Sequence, residues 1–137
     1  MLWKFFTYVS PSGRSDTQGT VDRYDEKAKA ACERAVAHLS VSTIDQWNMP
    51  FARKLKGRDK LYEIRYTAHQ KEARALGSFG PTQGHFSITL ICTHKTNVYT
   101  PPEAFKTAEN RFADIRNKTA TTAAFKVNGR DFSKFST

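Results

Sequence analysis

The alternation of hydrophobic and polar positions predicts a strand, a helix, three more strands and a second helix. Residues 2–9 are rich in aromatic and β-branched side chains and end at the turn sequence Ser10-Pro11-Ser12-Gly13, which is typical of a strand. The polar residues 13–19 predict a loop. Residues 21–39 carry apolar side chains at helical spacing, which predicts an amphipathic helix. Its apolar stripe consists of Ala28, Ala31, Cys32, Ala35, Val36 and Leu39.

Residues 61–66, 71–79 and 85–93 predict three consecutive strands joined by short polar turns, a pattern that favours an antiparallel meander. A further turn is expected at Gly57-Arg58-Asp59, before the first of them. The alternation in 85–93 places Phe86, Ile88, Leu90 and Cys92 on one face. In 61–66, Leu61, Glu63 and Arg65 share a face opposite Tyr62, Ile64 and Tyr66.

A second helix is predicted over residues 101–118, because Thr100-Pro101-Pro102-Glu103 has the form of a capping box. The combined pattern predicts an α+β fold. We expect one domain over residues 1–118, since 137 residues leave little room for a second domain. Residues 119–137 then form a C-terminal extension, which is either a loose arm or an edge strand.

The charge balance is strongly positive. The chain has 22 lysines and arginines against 13 aspartates and glutamates, a formal net charge of +9. Such an excess attracts polyanions, and nucleic acid is the usual target because neutralised phosphates release counterions. We rank nucleic acid or the ribosome first, an acidic protein partner second and solubility alone third. The first two are compatible.

The two cysteines, Cys32 and Cys92, lie on apolar faces and lack the spacing of a metal site. We therefore expect two buried free thiols in a reducing compartment, hence a cytoplasmic protein. No segment approaches the ~20 apolar residues of a membrane helix, so no membrane partner is expected. Metal ligands and cofactor motifs such as a Walker loop are missing, and no cofactor is predicted.

A metal-free chemistry is open to these residues. Cleavage of RNA through its 2′-hydroxyl needs a base, a proton donor to the leaving oxygen, and positive charge near the phosphorane. Residues able to supply these lie on the predicted sheet and its rims: Lys54, Lys56, Arg65, Arg74, His85, His94, Lys95 and Tyr99. Two interpretations are open for Arg65, which either grips a phosphate or forms a structural ion pair with Glu63. Taken alone, His94 is more typical of a surface histidine.

Several short motifs between residues 51 and 111 resemble the HigB-like branch of the RelE/ParE toxins. Members of that family carry a run of the type Lys-Leu-x-Gly-x-x-x-Leu-Tyr-Glu-Leu-Arg, which reads here from Lys54 to Arg65 with Ile64 before the arginine. A later strand carries Arg74 after a turn. His94-Lys95-Thr96 follows a hydrophobic strand, and a proline-opened helix then contains Ala108 and Arg111.

The resemblance implies a small curved antiparallel sheet with helices packed on one face. It also implies a type II toxin that cleaves messenger RNA on the ribosome and is held inactive by a cognate antitoxin, expected to be a helix-turn-helix protein. The implied catalytic residues are Arg65, Arg74, His94 and Lys95. The implied RNA-binding residues are Lys54, Lys56, Arg58, Tyr99 and Arg111.

Two alternatives keep the scaffold without the cleavage. One is a gyrase-type inhibitor, as in ParE-like relatives. The other is a phage or mobile-element protein that retained the fold for binding. The set of Arg65, Arg74, His94 and Lys95 favours the enzyme, because a protein that only binds another protein has no need of cations clustered at strand ends.

Overall fold

The computed structural model describes residues 1–58 and 60–135, and Asp59 of the predicted turn lies outside them, as do residues 136 and 137. The helices are α1 (Asp16–Asp22), α2 (Glu26–Ser40) and α3 (Ala104–Arg116), with a 3-10 turn at Ile44–Gln46. The strands are β1 (Lys4–Val9), β2 (Ala52–Lys54), β3 (Tyr62–Ala68), β4 (Lys71–Phe79), β5 (His85–Lys95), β6 (Val98–Thr100), β7 (Thr121–Ala124), β8 (Lys126–Val127) and β9 (Arg130–Asp131).

The main sheet has the strand order β2-β3-β4-β5-β1-β7, and β6 pairs with the end of β5. The predicted meander is confirmed, because β3, β4 and β5 pair antiparallel in sequence. The α+β class with a small open sheet is also confirmed. One pair differs from the antiparallel expectation, since β1 runs parallel to β5. That pairing joins segments separated by about 80 residues, and local alternation carries no information about it.

The helices cover the sheet from both sides. Ala75 lies in the cluster that contains the α2 side chains Cys32, Val36 and Leu39. Its neighbour Leu76 lies in a second cluster with α3. Successive residues of a strand point to opposite faces, so α2 and α3 pack on opposite sides of β4. The sequence-based expectation had placed the helices on one face.

A β-bulge in β5 changes which of its residues face α2 and which face α3. Leu76 pairs with Leu90, but Gly77 pairs with Ile88, which leaves Thr89 as the extra residue. Ile88 therefore faces α2, whereas Leu90 and Cys92 face α3. The predicted single face for these residues is wrong, because the bulge shifts the alternation by one position.

The helix boundaries correct three local predictions. The stretch 13–19 is not a loop throughout, since Ser15 caps α1 by accepting a hydrogen bond from the Gln18 N–H at 3.3 Å. The single helix predicted over 21–39 is instead divided, and Asp25 caps α2. The capping box at Thr100 is wrong as well. Thr100 is the last residue of β6, so it does not cap the helix. Helix α3 begins only after Glu103, whose φ of 57° is left-handed.

The described part of the C-terminal extension packs against the rest of the chain. Strand β7 pairs with β1 at one edge of the sheet, and Phe125 and Phe132 are buried in the α2-side cluster. The Phe5 N–H donates to Phe132 O at 2.8 Å, and the Phe125 N–H donates to Phe5 O at 3.1 Å. The segment is thus an edge strand followed by a small hairpin that fills the core.

Candidate functional site

A buried carboxylate gathers most of the predicted site on the α3 face of the sheet. Glu63 in β3 is fully buried. Its Oε2 lies 2.5 Å from Arg65 Nη1, 3.3 Å from Arg53 Nε and 3.8 Å from Arg74 Nε. The Tyr99 hydroxyl donates to Oε1 at 2.6 Å. We call these five residues the Glu63 cluster: Glu63, Arg53, Arg65, Arg74 and Tyr99.

The strand register explains why these side chains meet. Arg53 of β2 is directly opposite Glu63, and Arg65 is directly opposite Arg74 of β4. Residues two apart on one strand share a face, so Glu63 and Arg65 both face the cluster. A buried carboxylate is expected to be paired, and three guanidinium groups supply that pairing. The ion-pair interpretation of Arg65 is therefore confirmed by its contact with Glu63.

A second carboxylate lies at the solvent side of the cluster. Glu72 is directly opposite His94 on β5. Its Oε2 is 3.4 Å from His94 Nδ1 and 3.4 Å from Arg74 Nη2. Within residues 1–58 and 60–135, neither Arg74 Nε nor His94 Nδ1 has a hydrogen-bonding partner, although both atoms are buried. Buried polar atoms without a hydrogen-bonding partner are rare in folded proteins.

Tyr99 connects the two halves of the site. Its ring packs on the His94 ring at 4.5 Å between centroids and on Phe105 of α3 at 4.6 Å. Burial, together with the hydrogen bond to Glu63, raises the pKa of Tyr99 to about 12. The phenol therefore stays protonated at neutral pH and acts as a donor to Glu63.

The structure brings Arg65, Arg74 and His94 together and leaves Lys95 beside them. Arg74 is almost completely buried, with its Nη1 donating to Ala73 O at 2.9 Å. Lys95 is exposed. It shares a groove of about 670 Å³, which we call the strand-end groove, with seven other residues: Gln70, Lys71, Glu72, Thr93, His94, Thr96 and Thr100. His85 stands at the other end of β5 and stacks on Phe6 at 4.4 Å, outside this site.

The predicted RNA-binding residues are scattered. Lys54 and Lys56 are exposed at the β2 end of the sheet. Arg58 pairs with Glu109 at 2.9 Å. Arg111 makes two 2.9 Å contacts with Asp16, and it donates to Thr89 O at 3.0 Å. These contacts tie α3 to α1 and to the bulge residue of β5, so the geometry gives Arg111 a structural role.

Sequence reasoning missed two members of the site, Arg53 and Glu72. In the sequence, Arg53 is one of several basic residues before a turn, and Glu72 is an exposed residue near the start of a strand. Neither position by itself indicates a functional residue. The signal for both is cross-strand register, because each stands directly opposite a residue of the site, Glu63 or His94. Register depends on where the turns fall, which alternation within one strand does not specify.

Comparison with known proteins gives one family. The model of the family described as "Phage derived protein Gp49-like (DUF891)" matches residues 20–113, more than two thirds of the chain. No curated protein and no solved structure matches the chain significantly. In the described residues, no helix has the length and apolarity needed to cross a membrane. The chain belongs to the Gp49-like family of phage-derived proteins, a RelE/toxin-like group.

Proposed function

We propose that this protein is a HigB-like toxin of a type II toxin–antitoxin system that cleaves messenger RNA on the ribosome. The observation that carries the proposal is the convergence of Arg65, Arg74 and His94 on one face of the sheet, beside the exposed Lys95. Membership of a toxin-like family supports an antitoxin as partner. A helix-turn-helix protein with acidic segments fits the net charge of +9.

The residues divide the work of RNA cleavage as follows. His94 transfers a proton, as base to the 2′-hydroxyl or as donor to the leaving 5′-oxygen, since imidazole is the side chain best suited to both at neutral pH. Lys95 and the accessible edge of Arg65 bind the phosphate. Glu63 and Tyr99 position the guanidinium groups, because a buried carboxylate fixes their planes. None of these steps needs a metal ion.

The proposal is tested by inducing the protein in cells and mapping the 5′ ends of messenger RNA. We expect ribosome-phased new ends with the wild type, and a loss of at least about a hundredfold with His94→Ala, the lower range for a general acid–base group. Lys95→Ala should reduce cleavage without unfolding, since its side chain is exposed.

His38→Ala is the matched control for His94→Ala. His38 is an exposed histidine that packs on an aromatic ring, Phe51, at 4.6 Å between centroids, and it lies outside the site. Its removal should leave the new RNA ends intact. Equal loss of cleavage in both variants would contradict the assignment of His94, and growth arrest with intact RNA and damaged DNA would exclude RNA as the target.

A non-catalytic function on the same scaffold is the second candidate. The observation that favours it is that Arg53, Arg65 and Arg74 all contact the Glu63 carboxylate, which leaves their guanidinium groups less available to a phosphate than the sequence suggests. A gyrase-type inhibitor or a phage binding protein would show growth effects that persist in His94→Ala. The RNA-end experiment therefore separates the two candidates.

A further inference from the structure

We propose that the Glu72 carboxylate occupies a phosphate-binding position between Arg74 and His94, and that a phosphodiester of RNA replaces it on binding. The identity of the ligand rests on the proposed function. The existence of an anion site under Glu72 rests on geometry alone.

The first argument is the imperfect fit of Glu72. Its Oε2 stands 3.4 Å from both Arg74 Nη2 and His94 Nδ1, beyond the 2.7–2.9 Å typical of charge-assisted hydrogen bonds. Within the described residues, His94 Nδ1 has no hydrogen-bonding partner. The Glu72 carboxylate therefore lies near both nitrogens but is too far from them for a short charge-assisted hydrogen bond.

The second argument is the contrast in burial between the groups. The Arg74 side chain is only 3% exposed, whereas that of Glu72 is 57% exposed. Arg74 is held from behind by Ala73 O and Glu63, so its guanidinium stays in place when Glu72 swings into solvent. The Glu72 carboxylate is already largely in contact with water, so it loses little hydration and gains little from the pair. Displacement of Glu72 is therefore inexpensive, while the site beneath it is preorganised.

The third argument is the charge of the surroundings. Glu72, His94 and Lys95 line the strand-end groove, and Lys71 stands beside them. Turning Glu72 outward would uncover Arg74 Nη2 and His94 Nδ1, the two nitrogens that its carboxylate now faces, beside a groove that Lys71 and Lys95 also line. A guanidinium edge beside further N–H donors is a geometry that phosphate oxygens prefer.

A competing role for Glu72 is to orient His94 as a carboxylate–histidine pair. That role predicts slower cleavage and unchanged binding when Glu72 is neutralised. The displacement role predicts tighter binding. The absence of a hydrogen bond at His94 Nδ1 among the described residues favours displacement, and the measurement below separates the two.

The experiment measures binding of a fluorescein-labelled ten-nucleotide RNA with 2′-O-methyl groups, which cannot be cleaved through the 2′-hydroxyl. Fluorescence anisotropy at fixed salt gives the Kd for wild type and Glu72→Gln. We expect about fivefold tighter binding for Glu72→Gln, the equivalent of ~1 kcal/mol for one freed ion pair. Inorganic phosphate should compete more effectively in the variant.

Glu33→Gln is the matched control. It also raises the net charge by one, but Glu33 lies in α2, away from the strand-end groove, and a glutamine there can still accept the hydrogen bond from Asn128. The double variant Glu72→Gln/His94→Gln tests the location, since the gain should disappear without the imidazole. Equal tightening in Glu72→Gln and Glu33→Gln would reduce the effect to net charge and overturn the proposal, as would unchanged or weaker binding in Glu72→Gln.

The outcomes separate this proposal from the proposed function. Tighter binding by Glu72→Gln in a protein that yields no RNA ends in cells supports the anion site and contradicts cleavage. Cleavage by the wild type with unchanged binding by Glu72→Gln supports the enzyme and contradicts the displacement of Glu72.

Discussion

Glu63 is a fully buried carboxylate that contacts three guanidinium groups and a phenol. Its desolvation is offset only because those partners are in place, so each partner depends on it in turn. Arg74 depends on it most, because the Arg74 side chain is 3% exposed. Loss of one member of a buried pair leaves an uncompensated charge, which costs ~3–5 kcal/mol.

We expect Glu63→Gln to lower the free energy of unfolding by about 3 kcal/mol, for this reason. Urea denaturation followed by circular dichroism measures the change. Glu72→Gln is the control, since Glu72 also contacts Arg74 but is largely exposed, and it should change stability by less than ~1 kcal/mol. A similar decrease in the free energy of unfolding in the two variants would contradict the larger contribution assigned to the buried Glu63.

At this scale the sequence predicted part of the site. The pairing of Arg65 with Glu63 follows from residues two apart on one strand face, and it was one of two open interpretations. The contacts of Glu63 with Arg53 and Arg74 depend on the register of β2 and β4. No residue near Glu63 in sequence specifies that register.

Among the elements, β5 departs most from its pattern. Its hydrophobic residues continue the two-residue alternation through Cys92, yet the bulge at Thr89 divides them between two cores. Gly77 is the residue that faces this irregularity across the ladder. A Cβ at Gly77 would lie 2.2 Å from Ser87 O and 2.7 Å from the Phe86 ring, so only glycine fits between β4 and β5 there.

Gly77→Ala should therefore destabilise the protein by about 2 kcal/mol or more, in the range of overpacked cores. Thermal unfolding measures it. Gly19→Ala is a control of opposite sign, because Gly19 lies inside α1 and its added methyl meets only the flexible end of Arg23. That change should be neutral or stabilising by ~0.5–1 kcal/mol. Stability of Gly77→Ala at the wild-type level would contradict the close approach of the two strands.

For the whole molecule, the C-terminal segment completes the core that the sequence assigned to residues 1–118 alone. Phe125 and Phe132 are buried in the same cluster as Phe5, and β7, which ends just before Phe125, pairs with β1 at the edge of the sheet. The order of elements was predictable because each has a strong local pattern. The closure of the core by the tail was not, since spaced phenylalanines in a polar segment suit both an arm and a core.

Both cores contain groups that ionise only in strong alkali. Burial raises the pKa of Cys32 and Cys92 from 9.0 to about 12, and that of Tyr24 and Tyr99 from 10.0 to about 12. The unfolded chain releases these protons at lower pH, so stability is complete below pH 9 and falls as the pH rises toward 12.

We expect the free energy of unfolding to decrease steadily between pH 9 and 12, in urea titrations at a series of pH values. Tyr24→Phe removes one titrating group and should make the decrease shallower above pH 10. The comparison uses slopes, which separates this effect from the lost hydrogen bond between the Tyr24 and Tyr66 hydroxyls. Identical slopes in the two proteins would show that Tyr24 ionises as freely in the folded chain as in the unfolded one.

The extra residue in β5 also determines which neighbour of the site faces which side. Downstream of Thr89, His94 lies on the α3 face and Lys95 on the other, and upstream of it the parity is reversed. If one residue were deleted at Thr89 and the part of β5 before it kept its pairing, His94 and Lys95 would exchange faces of the sheet. The imidazole would then point away from Arg74. Insertions and deletions at this point therefore change which side chains reach the site, whereas substitutions around it change only how strongly the same side chains interact.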